Sequence, residues 1–430
     1  MISKEAPSPM TPTFNKGLVE TVFSDPSIAV ERVCTDEGLF ESKADWERLF
    51  AQASAQNPFL SWEWMAAWWR HLGAGKLHLL FVRRQGALIG IAPFYQREIR
   101  LGGISFRALS FLGDEAVGSD HLDFLSRKGC EDEVAEAVVQ AWLHDRRGWD
   151  FIALRHMAEA SPHADRFLRL TERGWRVQRR EGEVCPYLPL APTWEAFLNR
   201  LSASMRYTVR RKIRNLEKGH RVEFIAIDDL NEGRPAMERL LALHQKRWGD
   251  RGGSDAFVSE IKLPFHRETA EAFFQQGTAR LFFLKADGET VAALYGFILG
   301  QRFFYYQAGF DPAWKGKSVG MVLMAKCIEA AISQGWSEFD FLRGPEEYKS
   351  HWTSDRRQTQ HWILSPPGMK NDLYRFLAAS SQTGRRLARR YLPDAWVERL
   401  KGNRVAGVGP GIEPGVEPGI EKDAKEKESE

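Results

Sequence analysis

The residues best placed by type and spacing to do chemistry fall in two stretches of the second half of the chain. The first is FYYQAGFDPAWKGKSVGMVLMAKCIEAAISQG (304–335): an apolar strand ending near Phe310, a loop rich in lysine and glycine, then a helix from about Val319. Such a loop brings unpaired backbone N–H groups, the positive end of a helix dipole and ammonium groups to one place, which is what a phosphate needs. Phe310, Lys315, Gly316, Lys317, Ser318, Val319 and Gly320 would line it, glycine at 316 and 320 letting a ligand approach the backbone. An ordinary strand-to-helix connection with solvated lysines has the same pattern.

The second stretch is FDFLRGPEEYKSHW (339–352), with Asp340, Arg343, Glu346 and Tyr348 close together. The alternation Phe339-Asp340-Phe341 puts Asp340 on the opposite face from the phenylalanines, so it should face a cleft or solvent if they pack into a core. Arg343 carries a planar fork suited to an acceptor carboxylate or phosphate. It has a counterpart, Arg155, at the end of a similar strand, and a shared structural salt bridge is the competing reading. His244 and Trp248 stand four apart on one helix face, where they could line an acceptor groove or simply pack. Segment 206–221 (RYTVRRKIRNLEKGHR) carries seven Lys or Arg against a single Glu217. Its ladder Arg206, Arg210, Arg214, Lys218 suits a polyanionic acceptor, an acidic carrier protein or tRNA, and equally a solvated helix face. Aromatic interleaving is absent apart from Tyr207, which argues against RNA as the main partner. Residues 371–402 are basic and partly amphipathic, able to rest on an anionic membrane surface or to dock on the protein body.

These groups need a scaffold, and the chain is long enough to build one twice. Its 430 residues exceed a single ordinary core, and 43% hydrophobic with 27% charged residues is globular composition. LHLLFVRRQGALIGIAPFY and ARLFFLKADGETVAALYGFI both read as strand, tight turn, strand, with Gln85-Gly86 and Asp287-Gly288 at the turns. Each is followed by a helix-like segment (131–144 and 321–333) and then a strand opened by Gly-Trp (148–155 and 335–343). That shared order predicts two copies of one α/β unit, joined at the Pro-rich PYLPLAP (186–192). The expected division is 1–25 flexible, 26–190 first unit, 191–366 second unit, 367–404 a basic helical segment, and 405–430 a disordered acidic tail. Aromatic residues such as Trp64, Trp68 and Trp142 sit at apolar periodic positions and are expected in the core.

Charge and cysteine usage narrow the function classes. Net charge is +3, but the last twenty residues hold seven acidic and three basic side chains, leaving about +7 on the rest. That is a mild basic excess, compatible with an anionic co-substrate and well short of a nucleic-acid binder. Cys34, Cys130, Cys185 and Cys327 are scattered, with no CxxC pair, and the histidines include no HxxxH, so neither a disulfide frame nor a metal is expected. No apolar run approaches the roughly 18–20 residues that span a bilayer, and the polar N-terminus has no secretory h-region; the expected location is cytoplasmic.

Strand, Asp-Pro-x-x-Lys-Gly-Lys-x-x-Gly, helix, then a Gly-Trp strand resembles the acyl-CoA-binding core of the GNAT acyltransferase superfamily. In that family Arg/Gln-x-x-Gly-x-Gly/Ala cradles the coenzyme A pyrophosphate. Lys315 stands at the Arg/Gln position and Gly320 at the final Gly, while Ser318 replaces the first Gly. NPFLSWEWMAAWWRHLG, GIAPFY, CPYLPL, LSASMRYTVRRKIRNLEK, LHQKRWGDRGG and FDFLRGPEEYKSHW, over roughly 25–365, together resemble the FemAB/CelD-like branch, which is built of two GNAT-like units in tandem. The resemblance implies an N-acyltransferase with mixed central sheets, flanking helices and acyl-CoA as co-substrate. It would acylate an amine of a sugar, amino acid or envelope or exopolysaccharide precursor. Aminoacyl-tRNA-dependent ligases and non-catalytic partners in polysaccharide biosynthesis are the alternatives the branch contains. It places Tyr348 near the tyrosine that often protonates the departing thiolate, leaving Glu346 or Asp340 to accept the amine proton. The first unit has LSFLGDEAVGSDHLDFL where the second has its Lys-Gly-Lys loop, and its acidic groups would repel a pyrophosphate. The expectation is that it shapes the acceptor cleft and holds no cofactor.

Overall fold

The computed structural model describes residues 26–114, 116–145, 148–248, 261–344 and 346–391; the expected flexible N-terminus and acidic tail lie outside them. Its strands are β1 (Ile28–Val33), β2 (Lys76–Arg84), β3 (Ala87–Leu101), β4 (Ile104–Phe111), β5 (Leu125–Ser126), β6 (Phe151–Met157) and β7 (Arg176–Pro189). They continue as β8 (Val222–Ile227), β9 (Ala279–Ala286), β10 (Glu289–Leu299), β11 (Arg302–Phe310), β12 (Glu338–Asp340) and β13 (Arg356–Ser365). The helices are α1 (Asp36–Glu41), α2 (Lys43–Ala51), α3 (Trp62–Leu72), α4 (Glu131–His144), α5 (Trp194–Arg200) and α6 (Ala203–Gly219). After them come α7 (Leu230–Trp248), α8 (Lys262–Gln275), α9 (Val319–Ser333), α10 (Glu347–Ser350) and α11 (Met369–Tyr391).

Local chemistry sets the boundaries. Gln85 and Gly86 have φ of +51° and +81°, and Asp287 and Gly288 +52° and +86°. Two successive positive φ values are what a two-residue hairpin turn with the right twist requires, and glycine supplies the second without strain. Ser61, Thr193 and Ser202 each accept a bond from the backbone N–H three residues on, starting α3, α5 and α6.

All thirteen strands join one sheet in the order β1-β2-β3-β4-β6-β13-β7-β12-β11-β10-β9-β8, with β5 on β3. The two flanks match: β2-β3-β4-β6 on one side repeats as β9-β10-β11-β12 on the other. The pairs β4–β6 and β11–β12 are parallel, and the other named pairs antiparallel. The fold is therefore a mixed α/β sheet of two GNAT-like units. At the centre the units exchange strands. β7 pairs with β12, and β13, from the end of the second unit, lies between β6 and β7. A division near residue 190 thus separates stretches of chain, not separate sheets.

The cores follow the same plan. The largest runs across both units, with α3 packed on α8. There Trp64, fully buried, stacks on Phe273 and meets Phe265, Phe297 and Tyr306 edge-on. A second core lies under α5, α6 and α9, and a small third holds Phe106, Phe151 and Tyr374, seating α11 on β4 and β6. Trp68 and Trp142 are buried as expected. Among the described residues no helix is long and apolar enough to cross a membrane. All four cysteines are free.

Candidate active site

The site is built by two strands that part. β11 and β12 pair only at Arg302↔Glu338, Phe303↔Phe339 and Phe304↔Asp340. Beyond that point Leu342 takes φ +55°, and the chain leaves the sheet. A cavity of about 290 Å³ fills the wedge. Tyr305, Tyr306, Gln307 and Ala308 wall it on the β11 side, and Phe341, Leu342, Arg343, Glu346, Tyr348 and Lys349 on the other. His244 of α7 and Gly118 and Asp120 of the first unit complete it. Arg343, Glu346, Tyr348 and His244 are thus brought together; the side chain of Trp248 lies outside the described residues.

Tyr348 projects from α10 and donates its hydroxyl across the wedge to the Tyr305 hydroxyl, 3.2 Å away. Glu346 is half-exposed at the rim, its Oε2 2.9 Å from Nζ of Lys349. Lys349 is buried, and its ammonium also donates to the carbonyls of Arg343 (2.7 Å) and Leu342 (3.4 Å). It therefore ties the turn after β12 into one shape and holds Glu346 over the cleft. Gly344 belongs to that shape. Its φ is +134°, and a Cβ there would sit 2.0 Å from Glu346 Oε2.

Two expectations change. Asp340 does not face a cleft or solvent; it is fully buried, because a strand in mid-sheet has both faces covered. Its carboxylate accepts from Leu342 N at 2.8 Å, meets Arg357 at 3.2 Å and His121 at 3.4 Å. Burial opposes ionisation, but His121, the Leu342 N–H and Arg357 outweigh it and hold the carboxyl below its ordinary range. Burial likewise opposes charge on His121, yet Asp340 leaves that imidazole above its ordinary value. Arg343, assigned to an acceptor anion with a structural salt bridge as the competing reading, forms a salt bridge and serves the first unit. Its Nε lies 2.7 Å from Asp120, its Nη2 donates to the Ser119 carbonyl at 2.5 Å, and its backbone N–H donates to Asp120 at 2.8 Å. It shapes the cleft wall with its donors already occupied.

The sequence reading missed Asp120 and Lys349. Lys349 adjoins Tyr348 in GPEEYKSHW, a signal close at hand. Asp120 sits in the acidic loop of the first unit, and its partner is 223 residues away.

The Lys/Gly loop lies just beyond the cleft along β11. Residues Pro312–Lys317 form a 3-10 turn, and Ser318 at φ +57° starts α9. Lys315, Gly316, Lys317 and Gly320 are exposed, whereas the Val319 side chain is buried and only its backbone can face a ligand. Nothing lies within 4 Å of a Cβ built on Gly316, and on Gly320 only Phe310 Cδ1 at 3.9 Å. The loop therefore leaves room for a phosphate against the first N–H groups of a 15-residue helix. Ser318 makes no capping bond with its side chain, so its left-handed backbone is uncompensated strain. Ser318→Gly should raise stability by about 1 kcal/mol, seen as a higher denaturation midpoint.

One group among the described residues has metal-ligand spacing: His156, Glu183 and His361, with ligand atoms within 4.8 Å of one another. These atoms already bond to each other, His156 Nδ1 to Glu183 at 2.9 Å and His361 Nε2 at 3.4 Å. Arg343 Nη1 also stands 2.9 Å from both His156 ring nitrogens. A guanidinium so close disfavours a divalent cation, and the group stitches β6, β7 and β13 instead.

Fold and cleft have the form of a GNAT-like unit, and a family model and a solved structure are similar to them. Residues 203–350 match the family model described as an acetyltransferase (GNAT) domain. The crystal structure of FemX aligns with a TM-score of 0.54 at 11% identity, covering 74% of this chain and 95% of FemX. L-PGS from Bacillus licheniformis aligns with a TM-score of 0.49 at 11% identity, over 78% of this chain and 95% of that one. No curated protein sequence matches. At such identity the FemX likeness shows the fold alone. Residues 203–350 are thus similar to a GNAT domain, and the fold of the chain is like that of FemX.

Proposed function

We propose that the protein is an N-acyltransferase that moves an acyl group from acyl-CoA to the amine of a small molecule or glycan precursor. One observation carries this: the wedge between β11 and β12 holds a phenol and a carboxylate, beside a helix N-terminus flanked by two exposed lysines. The backbone N–H groups of Val319 and Gly320, with Lys315 and Lys317, would receive the pyrophosphate, which places the thioester toward the cleft. The acceptor amine attacks the thioester carbonyl, forming C–N and breaking C–S. Tyr348 gives its hydroxyl proton to the departing thiolate, and Glu346 takes the proton the amine sheds. Lys349 and Tyr305 position these two groups. Asp120, Gly118 and Arg343 bring the first unit to the acceptor side. That unit is proposed to hold no cofactor, its loop carrying acid where the second carries lysine.

A second reading has its own observation. α6 exposes Arg210, Arg211, Arg214 and Lys218, with Arg211 packed 5.4 Å from the exposed Tyr207 ring. At its far end His220 meets the Trp314 ring edge-on, beside Lys315. That ridge would suit a donor carried on tRNA or an acidic carrier protein. Calorimetric titration with acetyl-CoA and longer acyl-CoAs separates the two. Lys315→Glu/Lys317→Glu should weaken acyl-CoA binding about tenfold or more, while Tyr348→Phe keeps it. Binding unchanged in the double variant, or absent in the parent protein alongside affinity for charged tRNA, would overturn the acyl-CoA assignment.

A further inference from the structure

α11 has two apolar faces, and only one is covered. Tyr374 is buried, its ring stacked 4.1 Å from Phe151 and edge-on to Phe106 at 5.2 Å, with Leu377 and Ala378 packed beside it. Asn371 anchors the first turn by donating to the Pro366 carbonyl at 2.9 Å. That face fixes the helix to the sheet. The opposite face carries Met369, Leu373 and Phe376, which recur at four and three residues and are 87%, 38% and 68% exposed. They account for half of the six large exposed hydrophobics among the described residues. Three such residues in one row, on a helix already docked, have no folding role to explain them.

The surroundings are cationic. Exposed Arg100 and Arg107, paired with Glu98 and Asp150, and exposed Arg176 lie on β3, β4 and β7 around the helix; burial and the nearby Arg176 depress the guanidinium of Arg375. Burial pushes the Tyr374 hydroxyl up against the pull of nearby Arg155, Arg97 and Arg180. Beyond Phe376 the helix runs to Tyr391 through GRRLARRY, four arginines and no acid.

We infer that α11, with the arginines of the sheet around it, is a docking surface for an anionic lipid bilayer. The apolar row enters the headgroup boundary, the arginines neutralise lipid phosphate, and α11 lies in the membrane plane. The arginine excess around the apolar row favours an anionic surface over a second copy, whose same face would bring like charges together.

Sedimentation of the full chain with phosphatidylcholine vesicles, with and without phosphatidylglycerol, tests this. Binding is expected only with the anionic lipid and should weaken as salt rises. Met369→Ser/Phe376→Ser should lower partitioning about tenfold or more, with the denaturation midpoint unchanged because neither side chain is in a core. Arg100→Glu/Arg176→Glu should lower it as well. Failure of the full chain to bind phosphatidylglycerol vesicles overturns the proposal. So does a solution dimer that Met369→Ser/Phe376→Ser converts to monomer, which would assign the face to a second copy.

Discussion

Tyr348→Phe should lower the kcat of thiol release from acetyl-CoA, in the presence of an amine acceptor, by about 100-fold with KM for the thioester within about twofold. The substitution removes one oxygen and leaves the ring against the second core, so fold and donor binding stay intact. A phenol keeps its proton at neutral pH and is a ready donor to a thiolate as the C–S bond breaks. Its hydroxyl is aimed across the wedge by Tyr305, the first β11 residue beyond the paired stretch. Tyr305→Phe removes the acceptor of that bond and keeps the ring. It should therefore lower kcat about tenfold, in line with loss of orientation rather than of the proton donor. Full activity in Tyr348→Phe would remove the phenol from the reaction. A rise in KM at constant kcat would make it a binding residue instead.

What the sequence made legible is what short-range physics decides. The two hairpins depend on paired positive φ values at Gln85-Gly86 and Asp287-Gly288, which the residue types at those turns already signal. The repeat showed because each unit carries these local marks in the same order. The Lys/Gly loop at the start of α9 showed for the same reason. The exchange of β7 and β13 left no such mark, since either strand could pair with its own unit as well as with the other. Arg343 was legible as a cation near the site but not as the partner of Asp120, because that bond closes a loop of more than two hundred residues.

Asp340 shows the limit of period-two alternation, and it yields the second large effect. Alternation separates two faces but does not tell which is wet; here both are dry. Asp340→Asn should destabilise the protein by about 3 kcal/mol, read as a lower urea midpoint, because Arg357 and His121 lose the charge they face inside the sheet. The pH dependence follows from the two shifts. The carboxyl is depressed, so its contribution is present above about pH 4 and fades as pH falls through the lower folded value. His121 is raised, so its contribution is present below about pH 6.5 and fades as pH climbs through the higher folded value. The gap between parent and Asp340→Asn should therefore be widest between about pH 4 and 6.5 and narrow on either side. Through Leu342, whose N–H it also binds, Asp340 sets where the chain leaves β12 and the wedge opens. A loss of kcat in Asp340→Asn at an unchanged urea midpoint would mean the opposite. Asp340 would then act in the chemistry, and the wedge would have to admit the acceptor far deeper than its walls now allow.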